Sequence, residues 1–156
     1  MFNVVLVEPQ IPPNTGNIIR LCANSGARLH LVAPLGFALD DARMRRAGLD
    51  YHEFASLVVH PGWDELVARE ALDTRRVFAF TTHGRNGFAQ LRFAPDDWFV
   101  FGSETQGLSA ALRASIGAER CIRLPMRPDN RSLNLSNAVA VVVFEAWRQN
   151  DFRGAV

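Results

Sequence analysis

Short, almost continuously apolar stretches that alternate with helix-like segments constrain the fold of this chain most. Residues 2–7 (FNVVLV) and 98–102 (WFVFG) are apolar at nearly every position. A strand that is apolar on both faces must be covered on both, which is typical of parallel sheets. The sequence therefore predicts an α/β fold in which helices cover a parallel sheet on both faces. The predicted strands are residues 2–7, 28–33, 76–82, 98–102 and 121–124, with 57–60 as a further short one.

Helical segments lie between these strands and carry signals for their ends. Asn14 or Thr15 is suited to cap a helix that runs to Ser25, where Gly26 would end it. The other predicted helices are residues 40–47, 63–72, 108–116 and 135–149. No linker or internal repeat interrupts this pattern. We therefore expect one domain over residues 1–156.

Composition excludes several classes of protein. An apolar fraction of 48% in 156 residues is enough for a packed core, and a formal net charge of +1 does not indicate a nucleic-acid binder. Cys22 and Cys121 lie far apart in apolar stretches, so we expect buried, reduced thiols. The four histidines show no metal-ligand spacing, which predicts no metal site. With no charged leader and no apolar stretch long enough to span a membrane, we expect a cytoplasmic protein.

The loop before the last helix is unusually polar. Residues 135–149 form a nearly all-apolar helix, and four polar residues crowd the loop that precedes it: Asn130, Arg131, Ser132 and Asn134. Ser132 or Asn134 can cap the helix. Since the remaining polar groups also need hydrogen-bond partners, we expect this loop to bind a ligand.

Two other polar loops follow predicted strands. Residues 14–20 (NTGNIIR) begin a helix, where anions and polar ligand groups bind. Residues 101–108 (FGSETQGL) follow a strand, and open α/β sheets bind ligands at the carboxyl ends of their strands. Purely structural roles for these residues also stay open: Asn14 can be a helix cap, Arg20 a solvated surface charge and Glu104 an ordinary exposed carboxylate. Asn14 and Arg20 do not share a helix face if both are helical, but can converge if Asn14 lies in the loop.

A basic cluster with aromatic neighbours lies in the middle of the chain. Its members are Arg43, Arg45, Arg46, Tyr51 and His52. Guanidinium groups contact phosphates and aromatic rings stack on bases, so the cluster is suited to bind RNA. Arginines on a short helix are also often only a solvated face.

In this order, the segments resemble the SpoU-like RNA 2′-O-methyltransferases of the SPOUT group. Four stretches carry the resemblance, which runs over most of the chain: residues 8–24, 45–54, 101–108 and 124–149. The chain looks most like the small bacterial members that methylate the ribose of the anticodon wobble nucleotide of tRNA, a cytidine or uridine. The resemblance implies a SPOUT fold with a deep trefoil knot near the C-terminus, S-adenosylmethionine as cofactor and a homodimer.

The resemblance also implies roles for individual residues. The implied catalytic residues are Asn14, Arg20, Ser132 and Asn134. The implied cofactor-binding residues are Phe80, Thr81, Gly102, Glu104, Leu124, Ser132 and Leu133. At Ser103 and Gln106 the chain departs from the family pattern, which carries Pro and Arg there.

Three other functions stay open. The same chemistry can act on another tRNA or ribosomal RNA nucleotide. The fold can also serve as a non-catalytic RNA-binding module. A nucleotide-binding α/β enzyme of another kind would need a glycine-rich phosphate loop, and residues 101–108 are not one.

Overall fold

Seven parallel strands form a single sheet in the computed structural model, which describes residues 1–40, 48, 53 and 56–156. The strands are β1 (Asn3–Val7), β2 (Arg28–Val32), β3 (Leu57–His60), β4 (Val77–Phe80), β5 (Asn86–Gly87), β6 (Trp98–Phe101) and β7 (Cys121–Arg123). Their order across the sheet is β3-β2-β1-β6-β4-β7-β5. The α-helices of the described chain are α1 (Pro12–Ser25), α2 (Trp63–Arg69), α3 (Ala110–Ile116) and α4 (Leu135–Gln149).

Two apolar clusters cover opposite faces of the sheet. On one face, Ile18 and Ile19 of α1 and Val142 of α4 pack against strand residues that include Phe99. On the other face, buried side chains of α2 and α3 pack against strand residues that include Val5 and Val100. Each fully buried side chain of this size contributes about 1.5–3 kcal/mol through its removal from water. The predicted α/β sheet with helices on both faces is confirmed.

The start of α1 differs from the prediction. The helix begins at Pro12, with Ile11 as its N-cap, so Asn14 and Thr15 lie in the first turn and neither is the cap. Proline is favoured in the first turn because its φ angle is preset and the missing N–H would have no helical partner there. Gly26 ends the helix in the left-handed conformation, with φ of 74°, as predicted.

Several other element boundaries also differ from the predicted ones. Helix α3 begins at Ala110 rather than at residue 108, because the Ser109 hydroxyl accepts a hydrogen bond from the Leu112 N–H and caps the helix (3.1 Å). Helix α2 ends at Arg69, three residues before the predicted end at 72. The two-residue strand β5 was not predicted. Apart from Asp40, the predicted helix over residues 40–47 lies outside the described residues.

Two fully buried histidines lie side by side on β2 and β3, at one edge of the sheet. His30 of β2 and His60 of β3 have no solvent exposure, and His30 Nδ1 lies 3.0 Å from His60 Nε2. The ligand atoms of both histidines and of Glu70 lie within 4.8 Å of one another, a grouping that the sequence spacing did not predict. Burial, followed by the charge of Arg28, lowers the pKa of His30 to about 3. Burial also lowers the pKa of His60, although Glu70 acts in the opposite direction.

We expect this pair to make the fold sensitive to acid. Because the folded state lowers both histidine pKa values, it binds fewer protons than the unfolded chain below a pH of about 6.5. The stabilisation is complete above that pH and is lost as the pH falls toward the folded pKa. At a pH of about 5, His30 alone would lower the free energy of unfolding by about 2 kcal/mol relative to neutral pH.

Urea unfolding at neutral pH and at a pH of about 5 checks this expectation. His30→Gln should reduce the pH dependence, whereas His83→Gln, at an exposed histidine, should not. Equal free energies of unfolding at the two pH values would contradict it.

None of the described helices is long and apolar enough to cross a membrane.

Candidate functional site

A cavity of about 440 Å³ opens at the carboxyl ends of β4, β6 and β7. Its walls come from the loops that follow these three strands, from the first turn of α1 and from the start of α4. The volume lies within the range of about 300–1,000 Å³ that is usual for small-molecule sites. Its position is the one at which open α/β sheets bind their ligands.

The cavity has an apolar part and a polar part. Apolar side chains come from the strand ends and from α4: Phe80, Phe101, Leu108, Leu124, Leu133, Leu135 and Ala138. Polar side chains come from the three loops and from α1: Asn14, Thr81, Ser103, Glu104, Ser132 and Asn134. A ligand with both an aromatic ring system and several hydrogen-bonding groups fits such a lining.

Glu104 clamps the start of α1. Its carboxylate accepts hydrogen bonds from the backbone N–H groups of Gln10 (2.8 Å) and Ile11 (3.0 Å) and from the Asn14 side-chain amide (3.2 Å). Burial by itself would raise the pKa of Glu104, but these hydrogen bonds outweigh burial and lower it. The carboxylate is therefore ionised at neutral pH and favourably placed near the positive end of the helix dipole.

This arrangement argues against Glu104 as a general base. A carboxylate with a lowered pKa, whose oxygens already accept three hydrogen bonds, is a weak proton acceptor. The reading of Glu104 as an ordinary exposed carboxylate is also wrong, because its side chain joins the 101–108 loop to α1.

Two asparagine side chains extend this connection to α4. Asn14 Oδ1 accepts a hydrogen bond from Asn134 Nδ2 at 2.9 Å. Asn134 is the N-cap of α4, and its Oδ1 accepts hydrogen bonds from the N–H (2.9 Å) and the hydroxyl (2.6 Å) of Ser136. Glu104, Asn14, Asn134 and Ser136 thus form one chain of hydrogen bonds. It joins the three polar segments that the sequence singled out.

The 102–108 loop folds back on itself, and glycine makes this possible. A Cβ atom on Gly102 would overlap the backbone of Gly107 and Leu108. Gly107 has φ of 66°, in the left-handed region that favours glycine, and its N–H donates to the Ser103 carbonyl at 2.9 Å. This turn holds Glu104 in position to reach α1.

Arg20 lies on the exposed side of α1 and does not line the cavity. Its Nε lies 3.2 Å from Glu53 Oε1, and its Nη2 donates to the Gly48 carbonyl oxygen. Because α1 begins at Pro12, Asn14 and Arg20 are both helical and occupy different faces. The predicted possibility that they converge from a non-helical Asn14 is therefore wrong.

Comparison with known proteins identifies the family. Residues 1–144 match the SpoU rRNA Methylase family. The chain belongs to this family. It is 69% identical over 154 residues to a tRNA (cytidine(34)-2'-O)-methyltransferase of Burkholderia pseudomallei (strain 1106a), with 99% of each chain covered. The predicted resemblance to SpoU-like methyltransferases is confirmed.

Solved structures of SpoU methyltransferases share the fold. One, from work on the 2-OH methylation of C/U34 on tRNA, superposes with a TM-score of 0.86 at 39% identity and covers 98% of each chain. Another is AviRb from Streptomyces viridochromogenes in complex with AdoMet, with a TM-score of 0.79 at 27% identity. AviRb is longer, so the match covers 99% of this chain and 58% of that one.

The structure brings together most of the residues to which the SpoU resemblance assigned roles. All seven predicted cofactor-binding residues line the cavity: Phe80, Thr81, Gly102, Glu104, Leu124, Ser132 and Leu133. Three of the four predicted catalytic residues, Asn14, Ser132 and Asn134, line it as well. Their chemical roles stay predictions.

The cavity also contains residues to which no role was predicted, and the predicted RNA-binding residues lie outside the described part of the chain. Ile11, Arg123 and Met126 line the cavity, although the resemblance gave them no role. A sequence signal existed only in their position, since Arg123 ends strand β7 and Ile11 and Met126 lie in the loops that follow β1 and β7. The predicted RNA-binding residues Arg43, Arg45, Arg46, Tyr51 and His52 lie outside the described residues, and their role stays a prediction.

We expect Asn134→Ala to slow methyl transfer about 10-fold, because it removes the hydrogen bond that aligns α4 with α1 at the cavity. Loss of the helix cap should also lower the free energy of unfolding by about 1 kcal/mol. Single-turnover kinetics and urea unfolding measure the two effects. Ser109→Ala is the matched control, since it removes the cap of α3 without breaking a link across the cavity. A wild-type rate for Asn134→Ala would contradict this role.

Proposed function

We propose that this chain transfers the methyl group of S-adenosylmethionine to the ribose 2′-oxygen of nucleotide 34 of tRNA, a cytidine or uridine. The observation that carries the proposal is the meeting of three separated polar segments at one cavity, through Glu104, Asn14 and Asn134. The full-length similarity to a tRNA (cytidine(34)-2'-O)-methyltransferase indicates which ribose is methylated. Residues 1–156 act as one methyltransferase domain.

The cavity fits S-adenosylmethionine. Phe80, Leu124 and Leu133 form an apolar part suited to the adenine ring, and Thr81, Ser132 and the backbone at Gly102 offer polar groups to the ribose and amino-acid parts. Ser132 is exposed, and its hydroxyl has no hydrogen-bond partner within the described chain, so it is available to a ligand. When bound, the cofactor supplies an electrophilic methyl group on its sulfonium.

Arg20 acts on the ribose hydroxyl. A neutral hydroxyl is a poor nucleophile and must pass its proton to water or to a phosphate of the RNA as it attacks. An arginine guanidinium stays protonated in proteins, so it does not abstract that proton. Arg20 instead donates hydrogen bonds that orient the hydroxyl and stabilise the negative charge developing on its oxygen. Asn14 and Asn134 hold α1 and α4 in register beside it.

We propose that the last segment of the chain is knotted. The connection from β4 to β6 travels outward past β7 to form β5, so β7 pairs with β4 on one side and β5 on the other. After β7 the chain returns across these strands, and α4 packs on α1. The Phe93 N–H donates to the Gln149 side chain at 2.9 Å, which ties this connection to the end of α4. Connections that thread loops are rare, and a crystal structure traced through residues 81–149 tests this one.

The protein is expected to act as a homodimer. Apolar side chains remain exposed beside the cavity and along α4: Ile11, Leu133, Val141 and Phe144. Phe152 is exposed just beyond the helix. Large exposed apolar side chains are typical of an interface, and a two-fold dimer would cover the same residues on both copies. Because Leu133 also lines the cavity, the interface would adjoin the site.

Phe144→Asp should convert the protein to a monomer, since it places a charge at the centre of the proposed interface. Light scattering coupled to gel filtration measures the mass. Val59→Asp is the matched control, because Val59 is similarly exposed (42% against 48%) but lies on edge strand β3. A dimer that survives Phe144→Asp, or a wild-type monomer, would contradict the proposal.

The remaining predictions concern the contacts with RNA, the need for a metal ion and the cellular location. Arg43, Arg45, Arg46, Tyr51 and His52 are proposed to contact the anticodon stem-loop, with phosphate contacts fixing its position. We propose that methyl transfer uses no metal ion, since the grouping of possible metal ligands found among the described residues, His30, His60 and Glu70, does not line the cavity. We also propose a cytoplasmic location, because tRNA is the proposed substrate.

A methyl-transfer assay tests the function. Purified protein is incubated with radiolabelled S-adenosylmethionine and tRNA from a strain that lacks the modification, and the methylated nucleotide is mapped. Label at the 2′-oxygen of nucleotide 34 is the expected result. Label at another tRNA or ribosomal RNA nucleotide would reassign the substrate. Tight tRNA binding without any transfer would indicate an RNA-binding module.

A further inference from the structure

The ion pair between Arg20 and Glu53 has an unusual distribution of exposure. The Glu53 side chain is only 10% exposed, whereas the Arg20 side chain is 50% exposed. Arg20 Nε lies 3.2 Å from Glu53 Oε1, and Arg20 Nη2 donates to the Gly48 carbonyl. The nearly buried carboxylate of Glu53 thus binds the guanidinium of a half-exposed arginine side chain. The two contacts come from Glu53 and Gly48, to which the resemblance assigned no role.

The pair restricts how Arg20 can move. An arginine side chain on a helix surface samples many rotamers, and each productive contact must first overcome that freedom. Contacts at Nε and Nη2 hold one edge of the planar guanidinium. Within the described chain, no hydrogen bond engages Nη1, so one nitrogen remains available to a ligand.

We propose that Glu53 is a positioning residue for methyl transfer: it holds the Arg20 guanidinium so that Nη1 can donate to the ribose 2′-oxygen. This inference rests on the proposed function, because it assigns Arg20 to the reacting ribose. Glu53 does not line the cavity, so its effect on the reaction would pass through Arg20. Preorganised donors stabilise developing charge better than mobile ones, since no reorganisation is needed as the charge forms.

The chain offers a closely matched control. Arg28 and Glu70 form a second ion pair, with Arg28 Nη2 3.4 Å from Glu70 Oε2 and side-chain exposures of 42% and 13%. Neither residue lines the cavity. Glu70→Gln therefore makes the same chemical change at a similarly buried carboxylate, away from the ribose.

Single-turnover methyl transfer to tRNA from the modification-deficient strain is the kinetic test. We expect Glu53→Gln to lower the rate about 10-fold or more, as loss of orientation does. Affinity for S-adenosylmethionine and for tRNA should change less than about 2-fold in the same variant, because Glu53 does not line the cavity and its side chain is only 10% exposed. Glu70→Gln should keep the wild-type rate. Glu53→Asp should recover part of the loss, since it keeps the charge.

A double-mutant cycle separates positioning from general damage to the fold. If Glu53 acts through Arg20, Glu53→Gln will slow the Arg20→Lys variant little or not at all. Full additivity of the two losses would overturn the proposal, as would a wild-type rate for Glu53→Gln.

A second double-mutant cycle measures thermal stability and does not depend on methyl transfer. Arg20→Gln and Glu53→Gln should lower the melting temperature non-additively if the pair exists in solution. Additive shifts would overturn the positioning role even in an active enzyme. Wild-type protein that fails to methylate nucleotide 34 while showing this coupling would count against the proposed function and leave the ion pair established.

Discussion

Replacing Arg20 with alanine will lower the single-turnover rate of methyl transfer about 10²–10³-fold, the loss expected when a donor to a developing oxyanion is removed. Affinity for S-adenosylmethionine will stay at the wild-type level, because Arg20 does not line the cavity. The fold will also tolerate the change. Arg20 is half exposed, and isolated ion pairs at exposed positions contribute at most about 1 kcal/mol.

The measurement combines single-turnover kinetics with calorimetric titration of S-adenosylmethionine. Arg28→Ala is the control, because it removes an arginine of similar exposure that also pairs with a glutamate. A loss of cofactor affinity as large as the loss of rate would contradict the assignment of Arg20 to the ribose. A wild-type rate would contradict it as well.

Replacing Glu104 with alanine will lower the free energy of unfolding by about 3 kcal/mol, because three donors lose a charged acceptor at once. The N–H groups of Gln10 and Ile11 and the amide of Asn14 all depend on this carboxylate. Since Asn14 also holds Asn134, the change will loosen the first turn of α1 and the start of α4 together. Binding of S-adenosylmethionine should fall below detection, because these segments form the cavity wall.

Glu104→Gln distinguishes charge from hydrogen bonding. The amide keeps one acceptor oxygen, so we expect an intermediate loss of stability. Because the folded state lowers the pKa of Glu104, the native protein binds fewer protons there than the unfolded chain. Its contribution to stability is present above the ordinary carboxyl pKa and is lost as the pH falls through the folded value.

Urea unfolding of both variants and titration calorimetry measure these effects. Glu119→Ala is the control, since Glu119 is an exposed glutamate that pairs with Arg120. If Glu104→Ala unfolded with the wild-type free energy and bound the cofactor normally, the clamp would have no energetic role.

Local sequence accounts well for the elements of the fold. Apolar stretches marked six of the seven strands, and Gly26 and Asn134 marked two helix ends, because left-handed glycine and side-chain caps are local properties. The two-residue strand β5 carried no local signal, because its pairing depends on where β7 lies. The start of α1 was misjudged because the two prolines, rather than a capping side chain, begin that helix.

The residues of the site were predicted better than their contacts. Composition and motifs indicated Asn14, Glu104 and Asn134, yet nothing in the spacing showed that Glu104 would accept from the backbone just before α1 or that the two asparagines would bond to each other. These contacts join residues 93, 94 and 120 positions apart along the chain. Likewise, His30 and His60 gave no metal-like or paired pattern, and only the register of β2 and β3 brought their rings together.

The sequence alone determined the class of fold, the membership of the SpoU family and the side chains able to do chemistry, since apolar pattern and residue type are written along the chain. Only the tertiary structure decided that Glu104 is a clamp rather than a base and that Arg20 pairs with Glu53 and does not line the cavity. Those outcomes depend on which distant backbone groups meet at one edge of the sheet. Burial and hydrogen bonding at that edge determine whether each side chain is charged and which groups it contacts.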